Sequence, residues 1–241
     1  MPVAVSGDPE TMRVLVIIPA YNESRKIFDV VRSVRGQGYD VAVVDDASSD
    51  ATSEEARRAG AVVLRHFINR GYGAALGTGN AYALRHDYDI AVHFDGDGQH
   101  DADEISGVIE PIQKGEVHAA IGSRFLRPPL GKGGEWGGVP FLRALLIKLA
   151  IVFTWLFSGI KLTDSHNGFR AFSRHALELI DCRQDGMSYA SEVVDQIAEH
   201  ALMVKEVPVT IAYTDYSKAK GESNIKKVLL GLRFLWGKVI R

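Results

Sequence analysis

The strongest constraint on this chain is a rhythm. Short runs rich in Val and Ile recur at Arg13 to Ile18 (RVLVII), Val41 to Val44, Ala61 to Leu64 and Ile90 to Phe94, each separated from the next by a stretch of helical character. Runs apolar on both sides need cover on both faces, as strands do inside a parallel sheet. Between them, Ser24 to Arg35 carries Ile27, Val30, Val31 and Val34 on one helical face. Ser49 and Asp50 offer N-caps for a helix through Ala59, and the Gly-rich turn Asn69 to Gly73 opens a helix reaching about Arg85. Strands alternating with helices imply right-handed βαβ units, so the chain is predicted to be α/β, a mostly parallel Rossmann-like sheet flanked by helices. Beyond Asp101 the pattern predicts a helix to about Lys114, a strand over Val117 to Ile121, a mobile loop over Pro128 to Gly138 and a long apolar helix over Phe141 to Ile160. A strand over Val204 to Tyr213, a polar loop over Asp215 to Asn224 and a helix over Ile225 to Ile240 complete it.

Ligands of such sheets gather at the C-terminal ends of strands. Three polar segments fall there: Pro19 to Glu23, Asp45 to Asp50 and Asp95 to Gln99. In Asp95-x-Asp97-x-Gln99, alternate residues of extended chain share a side, so three oxygen-bearing side chains converge. Such oxygens suit Mg²⁺ or Mn²⁺, with substrate phosphates completing the shell. Gly96 and Gly98 let a ligand approach the backbone. The competing reading is a solvated acidic turn. An EF-hand is excluded, because Ser106 stands where that loop needs Glu. Asp45 suits a base N–H or a ribose hydroxyl, while Ser49 and Asp50 read as caps. Backbone N–H groups of Asn69 to Gly73 suit an anion, although Leu76 breaks the dinucleotide fingerprint. His100 adjoins the acidic segment and reads equally as a ligand-orienting group or an exposed cap.

Composition removes other classes. The net charge of −2 over 241 residues gives no global signal for nucleic acid. A single cysteine, Cys182, allows no internal disulfide and reads as a small core residue in a reducing compartment. The histidines lack metal-ligand spacing, and no G-x-S-x-G elbow exists. Met1 to Met12 shows no signal-peptide pattern, and the apolar run Leu149 to Ile160 is shorter than the roughly 20 residues a membrane span needs. From Lys218 to Arg241, seven basic residues face one acid. Ile225, Val228, Leu229, Leu232, Leu235, Trp236, Val239 and Ile240 recur at helical spacing among them. Such a basic amphipathic helix can lie on an anionic membrane or dock on the core.

Five ordered motifs then carry a resemblance. They are Pro19-Ala20-Tyr21-Asn22-Glu23, Val44-Asp45-Asp46-Ala47-Ser48-Ser49-Asp50, Asp95-x-Asp97-x-Gln99-His100, Gly122-Ser123-Arg124 and Asp164-Ser-His-Asn-Gly168-Phe169-Arg170. Over about Arg13 to Asn224 the chain resembles glycosyltransferase family 2, and within it the dolichyl-phosphate and polyprenyl-phosphate mannose or glucose synthases. The resemblance implies the glycosyltransferase-A fold and three segments: a leader (1–12), a catalytic domain (13–224) and the C-terminal amphipathic helix (225–241). It implies that Pro19, Ala20, Tyr21, Glu23, Asp45, Asp95 and Gly96 line the nucleotide-sugar site, and that Asp95, Asp97 and Gln99 surround Mg²⁺ or Mn²⁺ and the diphosphate. Arg124 and Arg143 would face the acceptor phosphate, and Lys218 would reach phosphates from a loop; with Asp97 these form the implied catalytic set. Glu192 or Asp164 would be the general base if the acceptor were a hydroxyl. Three positions depart from the family pattern: Tyr72 replaces a Lys, Ile147 a Ser, and Lys218 to Asn224 alters a loop motif that begins with Arg and ends with Lys. Lys and Arg are not equivalent towards phosphate.

The implied reaction is inverting transfer of a hexose from a donor of the GDP-mannose or UDP-glucose type to a polyprenyl phosphate. It would run on the cytoplasmic face of the cell membrane, with the protein peripheral on an anionic surface and open to a membrane-protein partner. An acceptor phosphate is largely dianionic at neutral pH and needs no strong base. The alternatives are a glycan or small-molecule hydroxyl acceptor, a non-catalytic nucleotide-sugar or lipid-binding module, and a nucleotidyltransferase. The last usually has a Gly-rich basic stretch where this chain has Pro19 to Glu23.

Overall fold

The computed structural model describes residues 11–126, 160–164, 167–182 and 189–212. Strands β1 (Val14–Ala20), β2 (Asp40–Asp45), β3 (Val62–Arg65) and β4 (Ile90–His93) alternate with helices α1 (Ile27–Gly36), α2 (Thr52–Arg58) and α3 (Tyr72–Arg85), as the apolar rhythm predicts. After α4 (Ile105–Gln113) come β5 (Ala119–Ser123), β6 (Arg170–Ser173), α5 (Arg174–Leu179), α6 (Tyr189–Glu199) and β7 (Val204–Pro208). These strands form one sheet in the order β3-β2-β1-β4-β6-β5-β7. β6 alone runs antiparallel to its neighbours β4 and β5, while β7 pairs parallel to β5. The C-terminal ends of β1 to β5 and β7 therefore share one edge with Arg170, the first residue of β6.

β1 is central, and all its residues are buried. Val14, Val16, Ile18 and Ala20 join the core under α1 and α4; Leu15 and Ile17 join the core under α3, α5 and α6. This two-way division of one strand is the period-2 alternation of a sheet covered on both faces.

β6, α5 and α6 were not anticipated. Arg170–Ser173 (RAFS) has no apolar run; it is a strand because β4 and β5 each offer it an open edge. α1 starts at Ile27 rather than Ser24, because the Glu23 carbonyl first accepts from the Lys26 and Ile27 N–H groups in a turn. β7 stops at Pro208, short of the expected Tyr213, and Ile211 instead bridges to His100. The loops expected over 128–138 and 215–224, the helix over 141–160 (save its last residue) and the closing helix lie outside the described residues, as do Arg143 and Lys218. Among the described residues, no helix is long and apolar enough to cross a membrane.

Candidate active site

Two carboxylate pairs stand at the common edge, after β2 and after β4. Asp45 is fully buried. Its Oδ1 accepts from the Ser48 N–H at 2.8 Å, its Oδ2 accepts from the Ser53 hydroxyl, and Arg65 Nε lies 3.8 Å from Oδ2. Both oxygens of the carboxylate expected to face a base also hold the turn that leads into α2. The next residue, Asp46, is also committed. Its carboxylate accepts from the N–H groups of Arg70 (2.8 Å) and Gly71 (2.7 Å) and meets His66 Nδ1 at 2.7 Å. The anion held by the Asn69 to Gly73 turn is thus the protein's own Asp46. Gly71 adopts φ 93°, a left-handed conformation that glycine takes without strain.

The nearby β1–α1 corner locks onto the same turn. Asn22 (φ 55°) accepts from the Ser49 N–H at 2.9 Å and donates its own N–H to the Ser48 hydroxyl at 2.9 Å. Asp50, rather than Ser49, bonds the first turn of α2, accepting from the Thr52 N–H at 3.0 Å. Pro19 and Ala20 are buried at the end of β1, Glu23 is buried, and Tyr21 is half exposed. Of the residues expected around the nucleotide, Tyr21 presents the most open surface. Gly96 serves packing: a Cβ there would meet Ile18 and the Pro19 carbonyl oxygen at 3.3 Å.

The second pair is built differently. The Asp95 side chain is 30% exposed. Tyr72 OH donates to its Oδ1 at 2.7 Å, and His100 Nε2 meets its Oδ2 at 2.9 Å. Gly168 packs directly against this carboxylate; a Cβ there would lie 2.6 Å from Asp95 Oδ2, so any larger residue would displace the carboxylate. Asp97 accepts from the N–H of Gln99 at 3.0 Å and from its side-chain amide. Gln99 is thereby an orienting partner of Asp97. Burial pushes the Asp95 carboxyl up, but hydrogen bonds from His100 and Tyr72 and the charges of His100 and Arg170 outweigh it and hold it below the ordinary value. Asp97 is displaced upward, by burial and then by the charge of Asp95. Neighbouring carboxylates with opposed shifts are typical of a site prepared for charge. The oxygen-only donor set suits a hard divalent cation. Among the described residues, no group of three His, Cys, Asp or Glu side chains could hold a metal unaided. Two partly exposed carboxylates would therefore need substrate oxygens to complete a cation's shell.

Beneath Asp95 lies a buried polar floor. The rings of Tyr72 and Tyr189 meet edge-on with centroids 5.8 Å apart. Tyr189 OH meets His93 Nδ1 at 2.6 Å, and His93 Nε2 meets Asn80 Oδ1 at 2.8 Å. The Asn80 amide N–H₂ points to Cys182 Sγ, so Asn80 Oδ1 is the acceptor and His93 carries its proton on Nε2. Burial first, then the Arg170 charge, lowers the His93 pKa to about 3, so the ring is neutral. Arg170 is fully buried, donates Nε–H to the Asn167 carbonyl at 2.9 Å and stands 5.3 Å from the centre of the Tyr189 ring. The Cys182 thiol, packed against this core, is pushed up to about 12 by burial and by the charges of Glu192 and Asp181, and is inert.

On the far side of the edge, Arg124 forms a fork with Asp164: Nε to Oδ2 at 2.7 Å and Nη2 to Oδ1 at 2.8 Å. Asp164 is buried, and Glu206 accepts the N–H groups of Thr163 (2.7 Å) and Asp164 (2.9 Å). Asp164 is thus tied up as the counter-ion of Arg124. Glu192 lies in the first turn of α6 and is partly buried. Sequence reasoning missed Asp46, Arg170 and the contact between Tyr72 and Asp95. The doubled Asp45-Asp46 and the Tyr at a position that resembling proteins fill with Lys were the available signals.

Comparison with known proteins bears on the family and the fold. The model of the family described as "Glycosyl transferase family 2" matches residues 15–180. The chain is 32% identical to a UDP-N-acetylglucosamine–dolichyl-phosphate N-acetylglucosaminyltransferase of Methanococcus voltae, covering 92% of this chain and 93% of that one. It is 30% identical to an undecaprenyl-phosphate mannosyltransferase of Micrococcus luteus, covering 93% and 96%. Among solved structures, a glucosyl-3-phosphoglycerate synthase from Mycobacterium tuberculosis, in complex with Mg²⁺ and UDP, superposes with a TM-score of 0.66 at 20% identity, over 86% of this chain and 73% of that one. The sheet with its one antiparallel strand is the glycosyltransferase-A fold.

Proposed function

We propose that this chain, which belongs to glycosyltransferase family 2, moves a hexose from a nucleotide-diphosphate sugar to a polyprenyl phosphate at a membrane surface. The observation that carries the reading is the partly exposed Asp95 carboxylate beside Asp97, with their acidities displaced in opposite directions. A cation bound there would neutralise charge on the departing diphosphate. Mg²⁺ or Mn²⁺ fits the donors, and the mycobacterial synthase was crystallised with Mg²⁺ and UDP. Asp97 and Asp95 supply the negative charge, Gln99 orients Asp97, and Tyr72 and His100 fix the direction of Asp95. Tyr21, at the end of β1, borders the nucleotide, and Asp45 holds the turn beside it.

A phosphate acceptor is supported by the relatives named for dolichyl and undecaprenyl phosphate. In this reading an acceptor phosphate oxygen attacks the anomeric carbon as its bond to the nucleotide diphosphate breaks, inverting that centre. Arg124, set in the plane fixed by Asp164, assists in binding that phosphate, together with Arg143 and Lys218. Asp164 is buried in its pair with Arg124, which argues against its acting as a general base. The catalytic domain spans residues 13–224 after a leader (1–12). The basic amphipathic sequence of residues 225–241 would serve to hold the protein on the cytoplasmic face of an anionic membrane, where a membrane protein is a candidate partner.

The test is an assay of GDP-mannose, UDP-glucose and UDP-N-acetylglucosamine against a polyprenyl phosphate and against saccharide acceptors, with and without Mg²⁺ or Mn²⁺. Cation-dependent glycolipid formation is expected, with Glu192→Gln retaining much of its turnover. Product from saccharide hydroxyls alone, with collapse of Glu192→Gln, would reassign the acceptor.

A further inference from the structure

The loop between β3 and α3 carries the two most exposed large apolar side chains among the described residues. Phe67 is fully exposed and Ile68 is 70% exposed. Their position is not that of a loose tail. On one side His66 is turned inward, Nδ1 to Asp46 Oδ1 at 2.7 Å and Nε2 to the Thr78 hydroxyl at 2.9 Å. On the other, Asn69 donates its amide to the Asp46 carbonyl at 3.3 Å, and the Arg70 and Gly71 N–H groups bond its carboxylate. Both stems are pinned to one buried side chain, and the two apolar residues between them project.

Adjacent exposed apolar side chains on a well-anchored loop mark a contact surface. The flanks indicate its chemistry. Residues 65–70 read Arg-His-Phe-Ile-Asn-Arg, with no acid. Arg70 is exposed and makes no side-chain hydrogen bond or ion pair among the described residues. An apolar tip beside an unpaired guanidinium matches an anionic lipid surface, with the tip among the acyl chains and the cation among the headgroups. The placement agrees: β3 and β4 are both parallel to the β2–β1 pair, so the tip rises from the same sheet edge as Asp95. We infer that Phe67 and Ile68, with Arg70, form a membrane-docking tip that seats the open edge of the enzyme on an anionic bilayer; this rests on the proposed lipid-phosphate acceptor.

The experiment is co-sedimentation of the full chain with equimolar phosphatidylglycerol and phosphatidylcholine vesicles. In parallel, donor KM and turnover are measured with a water-soluble short-chain isoprenyl phosphate. Replacing both tip residues (Phe67→Ser with Ile68→Ser) should weaken vesicle binding by about tenfold or more. Arg70→Gln should weaken it roughly fivefold, an effect that fades at high salt. Phe67→Leu should restore near wild-type binding, while donor KM and short-chain turnover stay unchanged in all variants. Absent wild-type binding, or unaltered binding by the double variant, overturns the inference. So does a raised donor KM in Phe67→Ser with vesicle binding intact, which would assign the ring to the nucleotide. Failure of the wild-type chain to glycosylate any isoprenyl phosphate would sink the proposed acceptor and leave the vesicle measurement to judge the tip.

Discussion

Asp45-Asp46 and Asp95-Gly96-Asp97 look alike in the sequence: each is an acidic pair where a buried strand ends. Folding uses them in opposite ways. Asp45 and Asp46 are buried, and their oxygens are taken by backbone N–H groups, hydroxyls, Arg65 and His66. Asp95 stays 30% exposed, and Asp97 is bonded mainly by Gln99. What separates the pairs is burial, because each oxygen of Asp95, like each oxygen of Asp45, already has a hydrogen-bonding partner. A carboxylate closed off from solvent serves as scaffold, whereas a partly exposed one with a like charge beside it keeps lone pairs within reach of a ligand. Strand ends make acidic sites possible, and the burial that folding builds around them decides which remain available.

The largest effect that would sharpen this contrast is at Asp97. Asp97→Asn should cut turnover by roughly 10³-fold, about 4 kcal/mol of transition-state stabilisation, with the melting temperature scarcely altered. Steady-state kinetics beside a thermal melt would show it, and a variant that unfolds instead would erase the distinction between the pairs. Asp45→Ala should do the reverse, costing about 3 kcal/mol of stability by stranding the Ser48 N–H and the Ser53 hydroxyl. Urea denaturation measures it; a loss below about 1 kcal/mol would mean that the pair is not scaffold.

The floor under the second pair gives a pH signature. His93 titrates at about 3 when folded and near 6.5 when unfolded, so the unfolded chain binds the extra proton first. Its contribution to stability is whole above pH 6.5 and falls as pH drops towards 3, by about 2 kcal/mol between pH 7 and 5. The check is denaturant midpoints across that range, with His93→Gln flattening the slope. The smallest effect belongs to Tyr72→Phe, which removes one hydrogen bond to Asp95 and should weaken apparent cation affinity about tenfold or less. Titration of turnover with Mn²⁺ reads it; a change beyond a hundredfold would make Tyr72 more than an orienting group.

Much of this was legible from residue order. The apolar rhythm marks β1 to β5 and the helices between them; β1, β4 and β5 are buried throughout, as an uninterrupted apolar run implies, whereas β3, at the sheet edge, is only partly covered. β6 was hidden because it lacks such a run: Arg170 to Ser173 is short, opens with a charge, and becomes a strand only through two neighbours distant in sequence. At the site, Asp95 and Asp97 stood out because alternate carboxylates at a strand end are chemically unusual. The division of labour between Asp45-Asp46 and Asp95-Asp97 was not legible. It depends on Arg70 and Gly71 folding back onto Asp46, and on Gly168 arriving from 73 residues further along to pack against Asp95.

The central claim is that the pair after β4, and not the pair after β2, governs cation-dependent binding of a nucleotide diphosphate. Isothermal titration of GDP and UDP into the full chain, with Mn²⁺ and with chelator, tests it most directly. The account predicts tight binding of at least one nucleotide that requires Mn²⁺ and is lost in Asp97→Asn while that variant still melts cooperatively. Binding of equal strength with chelator, or in Asp97→Asn, would contradict it.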